Sequence, residues 1–139
     1  EKNFFNSYIK VSFLDGTVQA HANHLGISFD ELRKSPKLAE TIKNFVATFG
    51  YEPLLATQSV PTYLFLRQAF KKTLMPFNYG NHLLDIWSLS YIYIIHYGIK
   101  KIPTLATMAT HFNLKLSRPN DALAKVRLTA EVFKRIING

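Results

Sequence analysis

Apolar residues recur along this chain at two spacings. Leu38, Ile42, Phe45, Val46 and Phe49 fall three or four apart, the stripe of an amphipathic helix that Ser35-Pro36 would open and Gly50 would close. Leu66, Phe70 and Leu74 repeat that spacing in a predicted helix from Tyr63 to Leu74, which Met75-Pro76 ends. Ser28 and Glu31 have the separation of a capping box and predict a short helix between these and the N-terminal region. Two short apolar runs, Leu54 to Ala56 and Leu83 to Ile86, predict buried strands, and the second leads into a helix through Tyr97 that Gly98 terminates. Thr104 to Phe112 and Asp121 to Ile137 predict a short and a long helix. On the long one, Leu123, Val126, Ala130, Phe133 and Ile137 form an apolar stripe expected to pack on the core. Asp15-Gly16, between Tyr8 to Phe13 and Thr17 to Ala20, predicts a hairpin that should lie beside the Leu54 strand. Helices alternating with strands imply one α/β domain spanning residues 1–139.

Composition narrows the setting. At 139 residues and 47% apolar, the chain has material for a single core. It lacks cysteine, which removes disulfides and thiolate metal sites and agrees with a reducing, cytoplasmic location. The most apolar run, Ile86 to Ile95, reaches about half of the roughly 20 residues a membrane span requires and contains Ser88 and Ser90, so no membrane partner is expected. Lys and Arg outnumber Asp and Glu by 17 to 9, a net charge of +8 that favours polyanions or acidic protein surfaces.

The C-terminal segment from Asn120 to Phe133, containing Thr129-Ala130-Glu131-Val132-Phe133, resembles the last motif of the DEDDh 3'-5' exonucleases, a turn ending in His-x-Ala-x-x-Asp that runs into a helix. Asn120 stands where that family has its general base and Lys125 where it has a metal-binding Asp. Upstream, Leu54 to Arg67 resembles the second motif, a strand followed by Ala-His-Asn-x-x-Phe-Asp, with Thr57 and Gln58 in place of His-Asn, Pro61 in place of Phe and Thr62 in place of the Asp. His24 to Ser28 is similar to the family's His-Gly-Ile-Thr turn. Leu83 to Leu89 and Leu105 to Leu114 match the intervening segments. The opening Asp-x-Glu has no counterpart: Glu1 could be its Glu, and no Asp precedes it.

The resemblance is to the epsilon-type proofreading exonucleases of bacterial DNA polymerase III, and it implies a ribonuclease H-like mixed sheet flanked by helices, with the opening strand absent from this chain or upstream of Glu1. It also implies that the chemistry is gone. The family uses two Mg or Mn ions about 4 Å apart, held by carboxylates. Thr62 offers a neutral hydroxyl, Lys125 would repel a cation, and Asn120 cannot take up a proton at neutral pH. The degenerate positions Thr57, Thr62, Asn120 and Lys125 should meet at one end of the sheet with no metal and no cofactor. Arg118, Lys125 and Arg127 would then supply positive charge for a phosphate. The expected function is a catalytically inactive 3'-5' exonuclease-like module in DNA replication, repair or processing that binds nucleic acid, single-stranded, or docks a protein partner. The alternative is an active metal-dependent 3'-5' exonuclease with a rearranged or incomplete site.

Simpler roles compete for several of these residues. Asp121 and Lys125 have the spacing of an i,i+4 ion pair. Asp85 is placed to cap the helix that follows it. His21, His24 and His82 fit surface or turn positions better than a metal site. Tyr91, Tyr93 and Tyr97 spread over more than one helix face, which suits packing and surface roles better than base stacking. Lys71-Lys72 and Lys100-Lys101 suit solvated ends of elements.

Overall fold

The computed structural model describes residues 4–11, 15–51, 55–80, 82–115 and 121–139. The helices are α1 (Gly16–Leu25), α2 (Phe29–Lys34), α3 (Leu38–Phe49), α4 (Val60–Lys72), α5 (Ile86–His96), α6 (Leu105–His111) and α7 (Ala122–Asn138). Two strands, β1 (Leu55–Thr57) and β2 (Leu83–Asp85), pair in parallel with Leu55 opposite Leu83 and Thr57 opposite Asp85. The class is thus mixed α/β, with a small parallel sheet among the described residues.

The predicted hairpin is not formed. Asp15 is extended at φ −106° and its carboxylate accepts a 2.9 Å hydrogen bond from the Val18 amide, so Asp15-Gly16 starts α1. A two-residue type I′ turn needs positive φ at both central positions, whereas an Asp at an N-cap needs the extended geometry seen here. Tyr8 to Val11 forms no strand, and residues 12–14 lie outside the described set. Consequently β1 pairs with β2 and has no hairpin beside it.

The chain divides into two compact units, residues 1–53 with 66–80, and residues 54–65 with 81–139. In the first, α1 ends at Gly26, whose φ of +68° allows the turn into α2. The Ser28 hydroxyl and Glu31 carboxylate complete their capping box. Two residues later than expected, α3 starts behind Lys37, which offers its helix no side-chain cap. Gly50 ends it at φ +68°, ψ −158°, a conformation open to glycine alone, and its carbonyl accepts a 2.8 Å hydrogen bond from the Tyr79 hydroxyl.

Aromatic edges hold this unit together. Phe45 meets Phe5, Phe49, Phe70 and Tyr79 at centroid distances of 5.1 to 6.3 Å. Phe70 is fully buried, worth about 1.5–3 kcal/mol in removed apolar surface. Leu74, expected beside it, is 94% exposed. The helix stops first: Leu74 has φ +55° and the Met75 amide returns to the Phe70 carbonyl, a left-handed C-terminal turn ahead of Pro76. At the other end, α4 begins at Val60, three residues before the predicted start, because Pro61 is tolerated in a first turn.

In the second unit the core is Ile86, Ile94, Met108 and Val132, surrounded by Leu84, Leu89, Tyr93, Phe112, Phe133 and Ile136. Asp85 caps α5 as expected, its carboxylate accepting from the Trp87 amide and the Ser88 hydroxyl. Thr104 caps α6, and Asn113, at φ +55°, closes the turn after it. The long helix α7 lies against α5 and α6, and it is rotated from expectation. Leu128 and Val132 are its buried residues, whereas Val126 and Ile137 are 64% and 59% exposed. Apolar side chains cover more than one face of α7, and the core it shares with α5 and α6 takes Val132, Phe133 and Ile136. None of the helices among the described residues is long and apolar enough to cross a membrane.

Candidate functional site

The second unit contains a cleft of about 540 Å³ at the end of β1, between the openings of α4 and α7. Its polar residues are Thr57, Gln58, Thr62, Lys125 and Thr129, and its apolar floor includes Ile86, Leu105, Val126, Ala130 and Phe133. Three of the four positions expected to meet, Thr57, Thr62 and Lys125, line this cleft, together with Gln58. Asn120 and Arg118 lie outside the described residues, as does Glu1.

Local hydrogen bonding explains how the polar edge is held. Thr57, buried at the end of β1, donates its hydroxyl proton to the Ser59 carbonyl at 3.0 Å, turning the chain out of the strand. The Thr62 amide donates to that same carbonyl at 3.1 Å, and the Thr62 and Ser59 hydroxyls lie 3.2 Å apart. Gln58 has no comparable tie: its Oε1 is buried without a hydrogen-bond partner.

On the facing helix, the Asp121 carboxylate accepts a 3.1 Å hydrogen bond from the Ala124 amide and so serves as the N-cap of α7. The expected ion pair of Asp121 with Lys125 does not form among the described residues; the cap geometry turns the carboxylate back along the helix start. Lys125 is exposed at the cleft, and its carbonyl accepts from the Thr129 hydroxyl at 2.9 Å.

Arg127 does not join Lys125. Two positions further around α7, it lines a second cleft of about 520 Å³ together with Lys115, Asp121 and Glu131. Glu131 is also 2.7 Å from Lys134, which holds its carboxyl below the usual carboxylate range, mainly through that hydrogen bond. The three-cation grouping of Arg118, Lys125 and Arg127 therefore reduces, among the described residues, to Lys125 alone in the first cleft.

The donor set of the described residues does not fit a hard divalent cation. Mg and Mn need several carboxylate or carbonyl oxygens to offset their charge, and the cleft presents hydroxyls, one carboxamide and one ammonium. Asp85 and Asp121, in the same unit, both serve as helix caps. Among the described residues no group of three His, Cys, Asp or Glu side chains gathers anywhere. His21 hydrogen-bonds through Nδ1 with the Thr17 carbonyl on its own helix, as a surface role requires.

Several features have no periodic signal in the sequence. The burial of Gln58 Oε1 is one, because it depends on how α4 leaves β1. Another is the cleft in the first unit lined by Lys10, Lys37 and Lys72, residues from three separate segments. On α5, Trp87 and Tyr91 stack with rings 5.4 Å apart and both remain exposed, whereas Tyr93 is half-buried against Tyr97, His111 and Phe112. No family model matches the chain, and no curated protein or solved structure matches it either.

Proposed function

We propose that this chain is a non-catalytic exonuclease-like module in which the place of a hydrolytic site has become a docking cleft. The reading takes β1 and β2 as two strands of a ribonuclease H-like sheet and α4 and α7 as the helices carrying the second and last motifs of the DEDDh pattern. The observation that carries it is the convergence of Thr57, Gln58, Thr62 and Lys125 on one cleft that no carboxylate lines among the described residues. Such a lining can bind and cannot assemble two metal ions.

Of the partners compatible with that cleft, a protein segment fits better than a nucleic-acid strand. Among the described residues the lining is largely apolar and one cation faces it, whereas a strand carries a phosphate at every nucleotide and gains affinity by neutralising several of them. Lys125 itself favours the second reading, in which a single phosphate of a single-stranded end is held without being cut. The net charge of +8 attracts acidic proteins and nucleic acids alike.

Binding of a fluorescent single-stranded oligonucleotide at low and moderate salt separates the two. The docking reading predicts weak binding that Lys125→Glu and Lys100→Glu reduce equally, because both act through general charge. A loss at Lys125→Glu at least tenfold larger than at Lys100→Glu would assign the cleft to nucleic acid.

A further inference from the structure

We infer that the cleft of the first unit, where Lys10, Lys37 and Lys72 meet, binds a di- or triphosphate group. It shares no residue with the cleft at the end of β1, and the inference stands independently of the non-catalytic reading.

Segments remote in sequence bring these cations together. Lys10 precedes α1, and its amide donates a 2.8 Å hydrogen bond to the Pro36 carbonyl, which ties that segment to the approach to α3. Lys37 is the residue ahead of α3, extended at φ −67° and ψ 155°. Lys72 is the last residue of α4, and the chain turns back directly after it, the Met75 amide returning to the Phe70 carbonyl. With Leu38, Ala39, Thr73 and Leu74 the lysines line about 470 Å³. That volume is within the roughly 300–1,000 Å³ usual for ligand sites.

Among the described residues no carboxylate lines the cleft, and none of the three ammonium groups has an ion-pair partner. Like charges gathered around one space repel one another, so the arrangement is stabilised when an anion enters. The start of α3 acts in the same direction. Leu38 and Ala39 are the first residues of a helix whose N-terminus has no side-chain cap, so their amides have no intrahelical acceptor. Thr73 is already engaged, its hydroxyl donating to the Ala69 and Phe70 carbonyls.

The number and kind of cations select the anion. A lone carboxylate brings a single charge and would leave most of the positive charge unanswered. Adjacent phosphates concentrate several charges and many acceptor oxygens in a short span, which suits compact ammonium groups with three donors each. A nucleic-acid strand spaces its phosphates along a backbone and is held by cations that follow it along a groove. Here the cations close on one space, and Leu38, Ala39 and Leu74 between them are apolar. A place at a helix end does not by itself explain Lys72: Lys71 shares the last turn of α4 and does not line the cleft.

The test is calorimetry of the unaltered protein with tripolyphosphate, ATP and orthophosphate at low salt. Tripolyphosphate should bind at a single site and about tenfold or more tighter than orthophosphate, which cannot answer all three lysines. Lys10→Gln, Lys37→Gln and Lys72→Gln should each weaken it about tenfold, whereas Lys71→Gln should leave it unchanged. Lys37→Asp should abolish binding while the protein stays folded by circular dichroism, because a carboxylate at that position caps α3. ATP binding tighter than tripolyphosphate would identify a nucleotide as the source of the phosphates, and equal or weaker binding the bare phosphate chain.

No binding at low salt, equal affinity for orthophosphate, or the same loss at Lys71→Gln as at the other lysines would overturn the inference. So would an oligothymidylate without terminal phosphates that displaces tripolyphosphate, a result that would assign the lysines to a nucleic-acid backbone. The non-catalytic reading would survive each of these results, since it fails only on nuclease activity.

Discussion

Thr62, in the first turn of α4, and Lys125, near the start of α7, line the same cleft. On the proposed reading these are two of the positions at which the DEDDh pattern has metal-binding carboxylates. On that reading a hydroxyl and an ammonium reverse the electrostatics of the site: the protein supplies positive charge where an active exonuclease would import it.

Calorimetry should therefore detect neither Mg nor Mn binding to the cleft. The triple variant Thr62→Asp, Asn120→His and Lys125→Asp should still fall short of full nuclease activity, because the opening Asp of the pattern has no counterpart in this sequence. Tight, stoichiometric Mg binding by the unaltered protein would show that the donor set has been misread.

The rotation of α7 gives a stability contrast. Met108→Ala removes a fully buried side chain from the core beneath α7 and should cost about 2–5 kcal/mol in chemical denaturation. Val126→Ala, on the exposed cleft face, should stay within about 0.5 kcal/mol. Equal losses would mean that the sequence-predicted stripe through Val126 is the packed one.

Capping can be tested where two side chains are coupled. The Ser28 hydroxyl and amide hydrogen-bond to Glu31 and hold its carboxyl below the ordinary value of 4.5. A carboxyl depressed on folding stabilises the folded state above its unfolded pKa, and that contribution is lost as pH falls through the lower folded value. Titration of Glu31 by NMR should give a value below 4.5 that moves back toward it in Ser28→Ala. No change between the two proteins would show that the capping box is not formed in solution.

At the start of α7, Asp121→Ala should cost about 1 kcal/mol through loss of the N-cap. The same variant should leave the environment of Lys125 Nζ unchanged, since no ion pair joins the two side chains in the structure. A lysine Nζ resonance that shifts with Asp121→Ala would restore the i,i+4 pair.

Local signals in the sequence were the most legible. Ser28 with Glu31 and Asp85 announce themselves because a cap and its helix are adjacent in the chain, whereas Thr104 and Asp121, expected inside their helices, are caps as well. Asp15-Gly16 misled because the same dipeptide serves a hairpin turn and a helix N-terminus, and the surrounding residues do not choose between them. The buried face of α7 was illegible for a different reason: Leu123, Val126, Leu128, Val132, Phe133 and Ile136 cover too much of the helix for periodicity to select one side. At the site, the resemblance grouped Thr57, Thr62 and Lys125 with Asn120, which lies outside the described residues. Gln58 was visible as a substitution, whereas its unpaired oxygen depends on tertiary placement.

The most direct measurement of the central claim is incubation of a 3'-labelled single-stranded oligonucleotide with the unaltered protein in Mg and, separately, in Mn, scored by release of labelled nucleotide. The account predicts release no faster than in a protein-free control with either ion. Robust release that depends on the metal and is abolished by a chelator would contradict it.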